Sequence, residues 1–192
     1  MHRTRMVQEM AKGRRSLERV MIVGAPGSGK STLARQMGGR LGLPVVHMDH
    51  IHWRAGWVER AQSEKTEMLE AVYSTPQWIV EGGHSRSFAQ RVARAQMMVW
   101  LDVPVGLRLW RVLRRSWRFR GQVRPDLPEG CPEEIGWRTV EFVSFILRTR
   151  RQSRARIAAI AAAPPAHLQV VRLGSLPQVR DFLERLEGER SQ

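Results

Sequence analysis

Short apolar segments alternate along the chain with longer segments of mixed polarity. Five apolar segments have the length and composition of buried strands, and they cover residues 20–23, 45–48, 78–80, 97–101 and 168–173. Gly24 ends the first of them and Asp102 ends the fourth. Continuous apolar runs of this kind are typical of strands that are buried on both faces of a parallel sheet.

The segments between these strands have helical periodicity, and glycine or proline ends several of them. The pattern predicts helices at 31–41, 61–73, 86–94, 105–120, 133–163 (one helix or two) and 177–186, with loops at 53–57 and 121–132. Strands that alternate with helices predict an α/β fold, with a parallel sheet between two layers of helices. The alternation runs through residues 19–188 without a linker or an internal repeat, so we expect a single domain.

Residues 1–18 are basic and lack clear periodicity, and we expect them to form a mobile tail. No apolar run approaches the ~20 residues that cross a bilayer, and no apolar stretch of a signal peptide follows the basic start. Cys131 is the only cysteine, which excludes an intrachain disulfide. These features predict a cytoplasmic protein without a membrane anchor, and we expect a monomer.

The charge of the chain is strongly positive. Its 32 basic residues exceed its 18 acidic ones, which gives a net charge of +14, and lysine occurs only at Lys12, Lys30 and Lys65. An excess of arginine suits polyanionic ligands such as nucleotides or nucleic acids, because guanidinium groups bind phosphate in a bidentate manner. Arginines on solvated helix faces account equally well for part of this excess.

A phosphate-binding loop follows the first predicted strand directly. The segment GAPGSGKS at 24–31 matches G-x-x-x-x-G-K-[ST] and precedes a predicted helix. In such a loop the backbone N–H groups and the lysine bind the phosphates of ATP, and the serine hydroxyl ligates Mg²⁺. The residues predicted to bind the nucleotide are Gly24, Ala25, Pro26, Gly27, Ser28, Gly29, Lys30, Ser31 and Thr32.

Other classes of phosphate-loop protein fit the sequence less well. We find no N-K-x-D segment of the kind that reads guanine, and no h-h-h-h-D-[DE] segment of the kind found in oligomeric motor ATPases. A compact small-molecule kinase remains.

Four segments of the chain, the first of which contains the phosphate loop, resemble the sequence pattern of a known family. They are RVMIVGAPGSGKSTLARQM, PVVHMDHIHWRAGWV, WIVEGGHSR, and VWLDVP followed by an arginine-rich helix. Together they resemble the adenylate-kinase-related topology modulation proteins over about residues 19–186. The chain departs from that pattern at 81–85, where it has EGGHS in place of E-G-N-Y-S.

The resemblance implies a nucleoside-monophosphate-kinase-like P-loop NTPase fold. We therefore expect a three-layer sandwich with a five-stranded parallel sheet in the order 2-3-1-4-5, counted along the chain. A short lid is expected at about 119–135, and the implied cofactors are ATP and Mg²⁺.

Two carboxylates follow predicted strands and lie at the edge where open α/β sheets bind ligands. In related kinases the position of Asp49 orients the acceptor hydroxyl, and here it could do the same or act as a base. Glu81 could hold Mg²⁺ together with Ser31, or polarise the acceptor. The alternatives are a turn or helix-cap aspartate and an exposed glutamate at a strand end.

An arginine-rich helix follows the fourth strand. In adenylate-kinase-like enzymes the comparable helix delivers arginines to the transferred phosphoryl group, so Arg111 and Arg115 are the candidates, followed by Arg118. The histidines near the strand ends (His47, His50, His52 and His84) are expected to be surface or capping residues. Trp53 and Trp57 fit either a pocket wall or simple packing.

Three functions are compatible with these features. The first is an ATP- and Mg²⁺-dependent phosphotransferase with Lys30, Asp49, Glu81, Arg111 and Arg115 as catalytic residues, acting on a nucleotide or another small anionic acceptor. The second is an ATP-regulated protein that binds nucleic acid through its positive charge. The third is an ATPase without an acceptor.

Overall fold

A computed structural model describes residues 17–83 and 87–188. Within them the strands are β1 (Arg19–Gly24), β2 (Val45–His47), β3 (Trp53–Arg54), β4 (Val58–Glu59), β5 (Trp78–Glu81), β6 (Met97–Leu101) and β7 (Gln169–Leu173). The helices are α1 (Lys30–Leu41), α2 (Met48–His52), α3 (Gln62–Ser74), α4 (Phe88–Arg94), α5 (Val105–Arg118), α6 (Trp137–Ala162) and α7 (Leu176–Gly188), and a 3₁₀ turn spans Ala55–Trp57.

The apolar strands pair into a five-stranded sheet in the order β2-β5-β1-β6-β7, and every pair is parallel. Counted within this sheet alone, the order is 2-3-1-4-5, so the predicted α/β fold is confirmed. The most apolar part of β1 lies at the centre, where Val20, Met21, Ile22 and Val23 are fully buried.

Two apolar clusters cover the two faces of this sheet. On one face, α1 and α7 pack against β1 and β6 through Leu33, Met37 and Leu183. On the other face, Leu69 of α3 and Ile157 of α6 pack against the opposite side chains of the same strands. Because side chains alternate along a strand, β1 supplies residues to both clusters and the result is a three-layer sandwich.

The predicted loop at 53–57 is wrong. Trp53–Arg54 and Val58–Glu59 pair as a short antiparallel hairpin around the 3₁₀ turn. Tertiary contacts stabilise this hairpin, because the backbone N–H of Gly56 donates to the carbonyl of Gly130 at 2.7 Å and Trp57 Nε1 donates to the carbonyl of Pro132 at 3.0 Å. The Trp57 indole thus serves packing and docking.

The segment between α5 and α6 corresponds to the predicted lid. Helix α5 ends at Arg118, two residues before the predicted end, and α6 is one helix that begins at Trp137. Between them, isolated bridges join Arg120 to Glu133 and Val123 to Pro132. This segment, which we call the lid, lies on the β3–β4 hairpin.

Two sequence predictions fall largely outside the described residues. The first is the tail at 1–18, of which residues 1–16 are not described. The second is the surface or capping role of His84, which lies with Ser85 and Arg86 outside the described residues. No helix in the described part of the chain is long and apolar enough to span a membrane.

Candidate active site

The phosphate loop connects the central strand to the N-terminus of α1. Lys30 starts the helix, and its Nζ donates to the carbonyl oxygen of Ala25 at 3.2 Å. Gly27 has a φ of +77°, and a Cβ there would overlap the carbonyl oxygen of Arg108 in α5. The loop therefore requires glycine both for its turn and for its close approach to α5.

Helix α5 lies across this loop. Arg111 Nη1 donates to the carbonyl oxygen of Ser28 at 3.0 Å, which places the guanidinium against the loop. Arg115 follows one turn later on the same side of α5 and is half-buried. Burial lowers the pKa of Arg115, and the charge of Arg124 adds to this effect.

A buried carboxylate lies beside the loop at the end of β5. Glu81 is 3% exposed, and its Oε1 lies 2.6 Å from His47 Nδ1. Burial raises the pKa of Glu81, but hydrogen bonds from His47 and Ser31 and the charge of Lys30 outweigh this effect and lower the pKa. Glu81 is thus held as an anion beside the phosphate loop.

The second carboxylate, Asp49, lies in the first turn of α2. One side of Asp49 is open to solvent, yet the walls of the cleft desolvate the carboxyl group and, with the Glu81 carboxylate, raise its pKa. Burial also lowers the pKa of Lys30, while Glu81 and Asp49 oppose that change. Asp49, Glu81 and Lys30 are therefore close enough to act on one another.

The lid adds a buried ion-pair network to the same cleft. Arg124 is 6% exposed, and it binds Asp126 Oδ2 at 2.7 Å and Glu133 Oε1 at 2.7 Å. Glu133 also pairs with Arg115 at 3.4 Å. The charge of Arg124 partly opposes the rise in the pKa of Asp49, so the network lies near that carboxylate. The ion-pair network connects the lid to α5 through Arg115.

Most of the predicted site residues converge, and several do not. Lys30, Ser31, Asp49, Glu81, Arg111 and Arg115 surround one cleft at the carboxyl edge of the sheet. Thr32 is exposed in the first turn of α1, and Arg118 is exposed at the end of α5. Arg150 and Arg151 of α6 line a different cavity.

Sequence reasoning missed three residues of this region. The sequence predicts a surface or capping role for His47, whereas its Nδ1 lies 2.6 Å from Glu81 Oε1. The sequence places Arg124 in a loop and predicts no role for it. Arg91 is fully buried in α4 and donates to the carbonyls of Gly82 at 3.0 Å and Gly83 at 2.9 Å. Of these three residues, only Arg124 could be recognised from its neighbours in the sequence, because Asp126 follows two positions later and can pair with it.

The oxygen donors of this cleft suit Mg²⁺. The Ser31 hydroxyl and the Asp49 carboxylate each act on the buried Glu81 carboxylate, which places three oxygen-bearing side chains around this part of the cleft. Mg²⁺ binds through one or two protein oxygens together with phosphates and waters. The described residues contain no group of three His, Cys, Asp or Glu that could enclose a metal ion on its own. The hydroxyl of Ser31 and the carboxylate of Glu81 are the protein oxygens that such a mode of binding would use here.

Comparison with known proteins also indicates a small P-loop kinase. Shikimate kinase from Corynebacterium glutamicum is 29% identical over 172 aligned positions, which cover 79% of this chain and 96% of that protein. No family model matches the chain.

Two solved structures share the fold. Shikimate kinase from Acinetobacter baumannii in complex with shikimate has a TM-score of 0.51 at 19% identity, covering 92% of this chain and 94% of that one. Shikimate kinase from Bacteroides thetaiotaomicron has a TM-score of 0.50 at 18% identity, covering 91% and 99%. The fold is that of the small P-loop kinases, and the resemblance to adenylate-kinase-related P-loop kinases is supported.

Proposed function

We propose that the protein is an ATP- and Mg²⁺-dependent phosphotransferase that phosphorylates a hydroxyl group of a small anionic acceptor. The convergence of the phosphate loop, two carboxylates and two arginines in one cleft supports this proposal. The γ-phosphorus of ATP would form a bond to the acceptor oxygen as its bond to the β,γ-bridging oxygen breaks, and ADP would leave.

Each residue of the cleft has a distinct role in this reaction. Lys30 binds the β- and γ-phosphates, and Ser31 and Glu81 hold the Mg²⁺ that accompanies ATP. Asp49 orients the acceptor hydroxyl and accepts its proton, which its raised pKa favours. Arg111 and Arg115 offset the negative charge that develops on the transferred group and on the leaving oxygen.

The acceptor should carry negative charge of its own. Arg115 and Arg124 border the carboxylate side of the cleft, and the lid network holds both guanidinium groups there. A hydroxylated carboxylic acid fits such a site, and shikimate is the acceptor present in one of the similar structures. Nucleoside monophosphates and sugars complete the set of acceptors to test.

The decisive experiment measures ADP formation with this acceptor panel. We expect ADP release to depend on one class of hydroxylated anion and on Mg²⁺. Arg111→Ala and Arg115→Ala should each lower turnover by up to about 10³-fold while changing ATP affinity little, because the arginines act mainly in the transition state. Arg114→Ala, which removes an exposed arginine of the same helix, is the matched control.

Two outcomes would favour the other functions. Equal ADP release with and without every acceptor would indicate a bare ATPase. If Arg111→Ala lowered the affinity for DNA and flattened its salt dependence, with turnover unchanged, the helix would serve nucleic acid. The contact between Arg111 and Ser28 supports the kinase reading, since that guanidinium faces the phosphate loop.

A further inference from the structure

A second cationic cavity lies beside the phosphate loop and is separate from the proposed acceptor cleft. Its volume is about 420 Å³, and it lies at the carboxyl ends of β6 and β7, between the first turn of α5 and the middle of α6. Small-molecule sites commonly have volumes of about 300–1,000 Å³. Ala25 is the residue that it shares with the phosphate loop.

All but one of the charged residues that line this cavity are arginines. One carboxylate, that of Asp102, faces five guanidinium groups from three different elements, namely those of Arg108, Arg150, Arg151, Arg154 and Arg172. Asp102 pairs with Arg154 at 3.0 Å and with Arg172, so its charge is already matched twice.

The other three arginines have no ion pair with any described residue. Arg108 is the most informative of them, because it is only 6% exposed. Its Nε donates to the carbonyl of Val103 at 3.1 Å, but its buried Nη1 has no hydrogen-bond partner among the described residues. A buried donor without a partner is costly, and Arg108 is also one of the residues that line the cavity.

We propose that this cavity binds the phosphate group of a phosphorylated small molecule, as a site distinct from the phosphate loop. Arg108 and Arg150 would hold the phosphate oxygens, since guanidinium forks match phosphate geometry. A cavity of this volume accommodates more than a bare phosphate, so the rest of the ligand would lie along α6.

The first test is a calorimetric titration with inorganic phosphate and with glucose 6-phosphate, using free glucose as the uncharged control. The protein is first saturated with Mg²⁺ and a non-hydrolysable ATP analogue, so that the phosphate loop is filled. We expect both phosphates to bind the saturated protein and glucose not to bind. If the ATP analogue abolishes phosphate binding, the cavity belongs to the nucleotide site and the proposal is wrong.

Variants separate a built site from general attraction to a basic protein. Arg108→Leu should weaken phosphate binding about 10-fold or more, and the double variant Arg150→Ala/Arg151→Ala should do the same without disturbing the core. The control Arg148→Ala/Arg156→Ala removes the same charge from α6 outside the cavity and should change affinity less than 3-fold. Equal losses in both double variants would overturn the proposal.

This test is independent of kinase activity. If the protein binds no nucleotide at all, the same titrations can be made on the Lys30→Ala variant. Phosphate binding that requires Arg108 in that variant would support the cavity even where the kinase proposal fails.

Discussion

Lys30 determines the electrostatics of the cleft at the scale of single residues. Its ammonium group lies near Glu81 and Asp49, while burial and two arginines of α5 act against its charge. A lysine in such surroundings gains a partner when ATP brings its phosphates to the loop. We therefore expect nucleotide binding to depend strongly on Lys30.

The first prediction is that Lys30→Ala abolishes thermal stabilisation by Mg²⁺–ATP. A ligand at 100 times its Kd stabilises a protein by about 2.7 kcal/mol, which corresponds to roughly 5–10 °C in Tm for a chain of this size. Differential scanning fluorimetry with and without Mg²⁺–ATP measures the shift. Arg35→Ala removes an exposed cation of α1 and should retain it. A wild-type protein that shows no shift at millimolar ATP would refute nucleotide binding.

The second prediction concerns Asp49. Its pKa is raised in the folded protein, so the ionised carboxylate reduces stability as the pH rises from its ordinary pKa of 3.8 through the folded value. Asp49→Asn removes this penalty, so the variant should melt at a higher temperature than wild type at pH 7. The difference should vanish well below pH 3.8, where Asp49 is protonated in both the unfolded and the folded chain.

The turnover of the Asp49→Asn variant should fall, although its melting temperature should rise. Without a carboxylate to accept the acceptor proton, Asp49→Asn should lose about 100-fold or more in turnover. Asp181→Asn, an exposed change in α7, should alter neither property. If the Asp49 variant kept full turnover, the carboxylate would have no part in the reaction.

At the scale of elements, the lid and the β3–β4 hairpin hold each other in place. Gly130 in the lid has a φ of +76°, and a Cβ there would lie 2.9 Å from the Cβ of Ala55 in the hairpin. At the same contact, the backbone N–H of Gly56 donates a hydrogen bond to the carbonyl oxygen of Gly130. One glycine therefore controls whether the lid can lie on the hairpin.

The third prediction is that Gly130→Val undocks the lid. The overlap of the new side chain with Ala55 costs about 1–2 kcal/mol beyond the strain of a left-handed residue, and opening the lid relieves it, so the population of an open lid rises by about 5- to 30-fold. Limited trypsin digestion at the lid arginines should accelerate accordingly, and turnover should fall while stabilisation by ATP persists. Gly121→Val has the same backbone strain at φ +72° but no atom within 4 Å, so it is the matched control. Equal digestion rates for the two variants would contradict a role for the contact with Ala55.

At the scale of the whole molecule, a single sheet connects the two apolar clusters. β1 and β6 supply buried side chains to both faces, so neither cluster has strands of its own. Loss of packing on one face should destabilise the other, as expected for one domain at 19–188.

The fourth prediction tests this coupling. Leu33→Ala on one face and Ile157→Ala on the other should each lower the free energy of unfolding by about 2–5 kcal/mol, because both remove buried methyl groups. Each variant should still unfold in one transition when it is followed by circular dichroism and tryptophan fluorescence. Two separate transitions, with each variant moving only one of them, would show that the chain contains two units.

Local sequence determined the class of protein and the position of its phosphate site. The motif at 24–31 contains nearly all of the residues predicted to bind phosphate within eight positions, and the apolar strands around it predicted the parallel sheet. Both signals depend on neighbours along the chain, which a sequence shows directly. Asp49 and Glu81 were also found in this way, since the ends of parallel strands meet at one edge.

The tertiary structure alone decided which polar side chains meet those residues. His47 reaches Glu81 across 34 positions of the chain, Arg111 reaches Ser28 across 83, and the lid docks on the hairpin over 75. The unpartnered Nη1 of Arg108 likewise depends on how α5 packs against the sheet and α6. Such contacts depend on how helices pack and how buried charges are compensated, and these leave no periodic pattern in the sequence.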